Sequence, residues 1–196
     1  MNRKIVITGL SGSNNTLLAL SLSNLTDIPY IRNKTMYEWL KLCKVPNSNK
    51  LRWKDMLMIA SVSFFERVAI ESHYDNFISD GISFSELIWL KSHFEKYHPN
   101  KKQDDWNRII ENIERASAFY AARQYDIIIH ARTESDISTY DYHKMLYKKY
   151  DLTFKVYNAE NLAKVIREIV NDFQIRKSNT VESAINQAKI DIFKNY

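Results

Sequence analysis

One cysteine, three glycines and three prolines are all that this chain of 196 residues has of the residue types that staple or punctuate a fold. A lone cysteine, Cys43, excludes an internal disulfide framework. The five histidines lie scattered away from it, with none of the Cys/His ligand spacing of a structural zinc site. So few glycines and prolines leave no room for long linkers or low-complexity segments, and no internal repeat is present. Long apolar runs are missing as well. The stretch 127–131 is among the longest, far short of the roughly 20 residues that a membrane-spanning helix needs. Met1-Asn2-Arg3-Lys4 leads straight into an apolar strand-like segment rather than a signal-peptide core. A soluble, cytoplasmic protein is therefore expected. The formal charge of +5 suits an anionic partner, yet Lys and Arg are spread along the chain rather than massed in one block. That distribution argues against nucleic acid and for a small phosphorylated ligand, which needs only a local cluster.

What is present is core material. A hydrophobic content of 45%, with 13% aromatics, is enough to bury one substantial core. Short apolar segments of the kind buried on both faces of a parallel sheet occur at 5–8, 30–31, 76–79, 126–131 and 152–157. Between and after them, helical spacing predicts helices over 16–25, 36–42, 53–73, 83–97, 104–123, 136–149 and 159–173. Strands alternating with helices imply right-handed crossovers and a three-layer α/β sandwich on a central, mainly parallel five-stranded sheet. The expected organisation is one domain over 1–175, followed by a last segment, 176–196. That segment has Val181, Ala184, Ile185, Ala188 and Ile192 at helical spacing behind Thr180 as N-cap. Its stripe should dock on the domain or on a second subunit.

The first strand runs into Gly9-Leu10-Ser11-Gly12-Ser13-Asn14-Asn15-Thr16 and then a helix. Strand, Gly/Ser loop and helix is the layout of a phosphate-binding loop, in which backbone N–H groups and the helix N-terminus attract an anion. Laid over G-x-x-x-x-G-K-[ST], Gly9 and Thr16 match, whereas Asn14 replaces the second glycine and Asn15 the lysine. The framework is there and its charged centre is not. A tight turn without a ligand is the alternative, against which stand the placement of the loop after the first strand and the threonine that opens the helix.

Parallel sheets present ligands at the carboxyl ends of their strands, so the residues just after each strand carry the next clues. Arg32 follows the second strand, where a guanidinium can hold a phosphate or carboxylate of an acceptor substrate. Ser79-Asp80-Gly81 ends the third. A carboxylate there can hold water on Mg²⁺ or accept a proton from an acceptor hydroxyl; it can equally cap a helix starting near Ser83. Arg132 follows the fourth strand. Glu66 and Arg67 read either as pocket residues or as the exposed edge of an amphipathic helix, and His130 as a hydrogen-bonded core side chain.

Residues 7–18, Ile28-Pro29-Tyr30-Ile31-Arg32-Asn33-Lys34-Thr35-Met36-Tyr37-Glu38, Phe65-Glu66-Arg67 with Glu71, and Phe77-Ile78-Ser79-Asp80-Gly81 with Glu86 together resemble the AAA-type ATP-binding proteins of the P-loop kinase group. Relatives of that group include the ribosylnicotinamide, deoxynucleoside and thymidylate kinases. The resemblance covers about 4–131. It implies a kinase-type P-loop sandwich, with ATP or a related nucleotide at Gly9, Ser11, Gly12, Ser13, Asn14, Asn15 and Thr16. It also implies Mg²⁺ at Thr16 and Asp80, an acceptor near Arg32 and Asp80, and a basic lid over 132–150. In that lid Arg132, with Lys144, Lys148 and Lys149, could replace the missing charge; the plainer reading is a helix whose lysines point to solvent.

The chain departs from the group where charge matters. Asn15 stands for the P-loop lysine, and Gly81 for an arginine that often follows the aspartate. Losing one preorganised charge of this kind costs about 2.7–4 kcal/mol of transition-state stabilisation, or roughly 10²–10³ in rate. Three readings follow: an ATP-dependent small-molecule phosphotransferase with atypical catalysis, a catalytically silent protein that binds a nucleotide or a partner protein, and a sulfotransferase-like enzyme. The last type binds a nucleotide phosphate on a Ser/Gly/Thr loop without the lysine. The third-strand motif and Lys34-Thr35-Met36-Tyr37 favour the kinase group.

Overall fold

The computed structural model of the protein describes residues 3–9, 13–44, 52–84, 87–88, 90–91, 104–132 and 137–195. Five strands are present in chain order: β1 (Lys4–Gly9), β2 (Tyr30–Ile31), β3 (Phe77–Asp80), β4 (Ile127–Arg132) and β5 (Lys155–Asn158). Between and after them lie α1 (Ser13–Thr26), α2 (Met36–Leu42), α3 (Trp53–Glu71), α4 (Asp104–Gln124), α5 (Ile137–Lys149), α6 (Leu162–Asp172) and α7 (Val181–Asn195). Leu87, Ile88, Leu90 and Lys91 are also helical. Beyond them, 85–86, 89 and 92–97 of the helix expected over 83–97 lie outside the described residues. Among the described residues no helix is long and apolar enough to cross a membrane.

The strands form one sheet in the order β2-β3-β1-β4-β5, and every pairing is parallel. The alternation of side chains along a strand explains its two coated faces. Ile5, Ile7, Ile127 and Ile129 lie in one core with Leu18, Leu22 and Leu25 of α1, Val165, Ile166, Ile169 and Val170 of α6, and Val181 and Ala184 of α7. Thr8 and His130, paired in register, belong to the opposite face, where α5 brings His143 and Tyr147. Helices on both faces make the three-layer α/β sandwich expected for this chain. Thr180 caps α7, its Oγ1 accepting from Ser183 N–H at 3.3 Å, and the helix packs along α1.

The chain divides into two compact units, residues 1–32, 74–82 and 125–196 in the first and residues 33–73 and 83–124 in the second. All five strands belong to the first. The second is helical among the described residues. Met56, Ile59, Ala60 and Phe64 of α3 and Ile110, Ala118 and Ala121 of α4 are buried. Glu71 is fully buried, accepting from the Tyr120 hydroxyl at 2.8 Å and lying 3.6 Å from the buried Arg67 guanidinium. An exposed Glu-Arg edge is therefore the wrong description of residues 66 and 67. Arg67 is turned inward to a carboxylate one helical turn on, and Glu66 pairs with Lys34.

Several boundaries differ from expectation by one to three residues, among them the starts of α1 and β5. Helix α1 begins at Ser13 rather than Thr16, which leaves Thr16 inside its first turn. Strand β5 begins at Lys155 rather than 152, because 150–152 close the end of α5. Tyr150 N–H reaches Leu146 O, Asp151 takes φ 51°, and Leu152 N–H returns to Tyr147 O at 2.9 Å. That six-to-one bond over a left-handed residue is a Schellman stop.

Candidate functional site

Strand order sets the site. With β1 between β3 and β4, the carboxyl end of β1 is flanked by the end of β3, at Asp80, on one side and the end of β4, at Arg132, on the other. Gly9, the last residue of β1, takes φ 130°, a conformation L side chains rarely adopt. A Cβ there would overlap the backbone carbonyl of Ala131, its register partner on β4. The glycine is required by its own backbone conformation and by the neighbouring strand alike.

Of the sequence-predicted nucleotide residues, Ser11 and Gly12 lie outside the described residues. Ser13 and Asn14 open α1, and their side chains also lie outside the described residues. Asn15 is buried. Thr16 donates its hydroxyl to Asp80 Oδ2 at 2.6 Å, short enough for a charge-assisted bond, and so joins the first turn of α1 to the end of β3. Gly81, at φ 78°, donates its N–H to Ile7 O at 2.6 Å and turns the chain immediately after Asp80.

Arg132 stands exposed at the end of β4, its guanidinium 4.9 Å from the centre of the Tyr140 ring on α5. Lys144 approaches the same ring, at 5.6 Å. Two cations therefore share one aromatic, whereas Lys148 is exposed and Lys149 lies 5.2 Å from the centre of the Tyr150 ring. Arg32 is exposed just after β2, one strand beyond β3. Asp80, Thr16 and the Gly9 turn are brought together; Arg132 borders them and Arg32 stands further along the same sheet end.

Sequence reasoning missed how α5 is held. His143 Nε2 lies 3.3 Å from Thr8 Oγ1, next to Gly9. His130 is fully buried and packs edge-on against the rings of Tyr140, His143 and Tyr147, at 4.9, 5.1 and 6.3 Å. Burial first, and then the neighbouring His143 and Arg132, lower its pKa to about 3, so the ring is neutral. The available signal was the pair of polar residues, Thr8 and His130, inside two otherwise apolar strands.

A threonine hydroxyl and a carboxylate offer the hard oxygen atoms that suit Mg²⁺, which takes one or two carboxylates together with waters and phosphate oxygens rather than a protein cage. Thr16 and Asp80 fit that need.

No protein-family model matches the sequence, and no curated protein matches it. Solved structures do. A NadR protein in complex with NR superposes with a TM-score of 0.60 at 11% identity, over 91% of this chain and 52% of that one. This chain thus spans about half the length of that relative. The deoxyadenosine kinase of M. mycoides with bound dATP superposes with a TM-score of 0.58 at 18% identity, over 87% of this chain and 99% of that one. Identities this low speak for the fold alone. An all-parallel five-stranded sheet with the Gly9 turn at its centre and these structural neighbours give the chain a P-loop kinase-like fold.

Proposed function

We propose that this chain binds a nucleoside triphosphate with Mg²⁺ at the β1–α1 turn, and that its phosphoryl transfer to a small acceptor is slowed by Asn15 in place of lysine. The observation that supports this reading most is the 2.6 Å bond from Thr16 to Asp80, a hydroxyl and a carboxylate joined beside a glycine turn that opens a helix. Backbone N–H groups at the start of α1 would face the phosphates. Thr16 and Asp80 would hold the Mg²⁺, which when bound neutralises phosphate charge. Arg132, with Lys144 near it, is the cation best placed to take over part of the absent lysine's work, and Arg32 is proposed for the acceptor's anionic group. In the transfer the acceptor hydroxyl oxygen forms a bond to the terminal phosphorus and gives its proton to the Asp80 carboxylate, the bond from that phosphorus to the bridging oxygen breaks, and the nucleoside diphosphate leaves. The dATP named for the deoxyadenosine kinase neighbour points to the same ligand class.

A thermal-shift panel of ATP, GTP, a sulfonucleotide and nucleosides, with and without Mg²⁺, tests the proposal. A triphosphate present at about 100 times its Kd adds roughly 2.7 kcal/mol to native stability. We expect a Mg²⁺-dependent rise with a nucleoside triphosphate. A folded sample indifferent to every triphosphate at millimolar concentration would defeat the proposal, and a response to the sulfonucleotide alone would replace it with the sulfotransferase-like reading.

A further inference from the structure

A helix that only packs on a sheet needs apolar side chains, yet the side that α5 turns to the sheet is polar at its centre. Tyr140, His143 and Tyr147 recur at steps of three and four residues, which places them on one side of the helix. His143 is 2% exposed, and its Nε2 lies 3.3 Å from the Oγ1 of Thr8, itself 1% exposed. Thr8 immediately precedes Gly9, so the contact is made one position ahead of the glycine turn. The imidazole is walled by His130, the register partner of Thr8's strand neighbour position, at 5.1 Å and by Tyr147 at 5.9 Å. One helical turn earlier, Tyr140 receives Arg132 from the end of β4 and Lys144 from α5 itself. One side of α5 thus holds two neighbouring strands near their carboxyl ends, β1 through a hydroxyl and β4 through a cation on a ring.

Packing alone does not call for these residues. Burying an imidazole and a hydroxyl costs desolvation that leucine and valine would not, and the bond between them returns little of it net. What the bond adds is direction. Apolar contacts tolerate sliding and repacking, whereas a buried and satisfied polar contact admits one arrangement. We propose that His143 is a positioning residue: its bond to Thr8 fixes the register of α5 on the sheet, and with it the place of the Arg132, Tyr140 and Lys144 group relative to the strand that ends at Gly9. The consequence for ligand binding rests on the triphosphate reading of that turn. Affinity for MgATP then depends on this bond although neither Thr8 nor His143 touches the nucleotide.

Two measurements on the full chain test this: amide hydrogen exchange over 137–149 without nucleotide, and calorimetric titration of MgATP. Thr8→Val keeps the shape and removes the hydroxyl; His143→Phe keeps a ring and removes the nitrogen. Each should speed exchange along α5 and weaken MgATP binding, both by about 5-fold, the worth of one net hydrogen bond. The double variant should be no worse than either single one, because both remove the same bond. His143→Gln, whose amide reaches as far as Nε2, should stay within about 2-fold of wild type in both readouts, as should Met145→Ala on the exposed side of α5. If His143→Phe fails to fold, Thr8→Val and His143→Gln carry the test. Unchanged exchange in Thr8→Val, or losses that add in the double variant, would overturn the proposal. So would variants that melt earlier yet bind MgATP as the wild type does, since the contact would then be packing alone. A wild type indifferent to MgATP would defeat the triphosphate reading by itself; faster exchange in Thr8→Val with rescue by His143→Gln would still support the positioning role, and unchanged exchange would overturn it.

Discussion

Gly9 and Asp80 mark the candidate site because each answers a demand of the sheet end. At Gly9 the demand is backbone: φ is 130°, and the Ala131 carbonyl occupies the space of a Cβ. Gly9→Ala is therefore expected to destabilise the protein by on the order of 3 kcal/mol, read from urea unfolding. A loss under about 0.5 kcal/mol would mean that the turn relaxes freely. At Asp80 the demand is charge. Asp80→Asn keeps an oxygen for the Thr16 hydroxyl but removes the anion, so the fold should hold while the Mg²⁺ dependence of triphosphate stabilisation disappears. An unchanged Mg²⁺ dependence in the thermal-shift panel would place the metal elsewhere. Both residues were legible in the sequence, one as the only glycine ending an apolar strand into a Ser/Gly loop, the other as a carboxylate at a strand end. The burial of Asn15 was not, since no pattern along the chain reports where an amide in a first helical turn points.

Among the elements, α5 has the most unusual attachment, a helix docked on the sheet through rings and two histidines. Neutral His130 is enclosed by Tyr140, His143 and Tyr147, with Arg132 near it. Its folded pKa of about 3 lies below the ordinary 6.5, so between those values the unfolded chain binds the extra proton. Stability should be full above pH 6.5 and fall as pH drops toward 3, with a slope from this residue of up to about 1.4 kcal/mol per pH unit. His130→Phe should flatten the decline of unfolding free energy between pH 6.5 and 4.5. An equal slope in wild type and variant would show that His130 charges without leaving its enclosure. The existence and type of these elements could be read from apolar spacing, but their ends could not. Leu152 and Phe154 look like strand residues because they are apolar. Leu152 is instead buried at the Schellman stop of α5, and Phe154 stacks on Tyr147 at 4.3 Å.

For the whole molecule, alternation of strand and helix was enough to predict the layered α/β class, since parallel strands need crossovers and those crossovers coat both faces. Strand order is a different kind of information. It depends on which strands pair, and here it places β1 between β3 and β4, which is why Asp80 and Arg132 flank one strand end although 52 positions separate them in the sequence. The central claim is that the segment 9–16 is a phosphate cradle lacking only its charge and its second glycine. Calorimetric titration of MgATP into the wild type and into Asn14→Gly with Asn15→Lys tests that claim most directly. The double variant should bind more tightly by about 1.5–3 kcal/mol, roughly 10- to 150-fold, for one added charged hydrogen bond and a closer backbone approach. A folded double variant that binds MgATP no better than the wild type would show that the loop does not cradle phosphate, and would contradict the account.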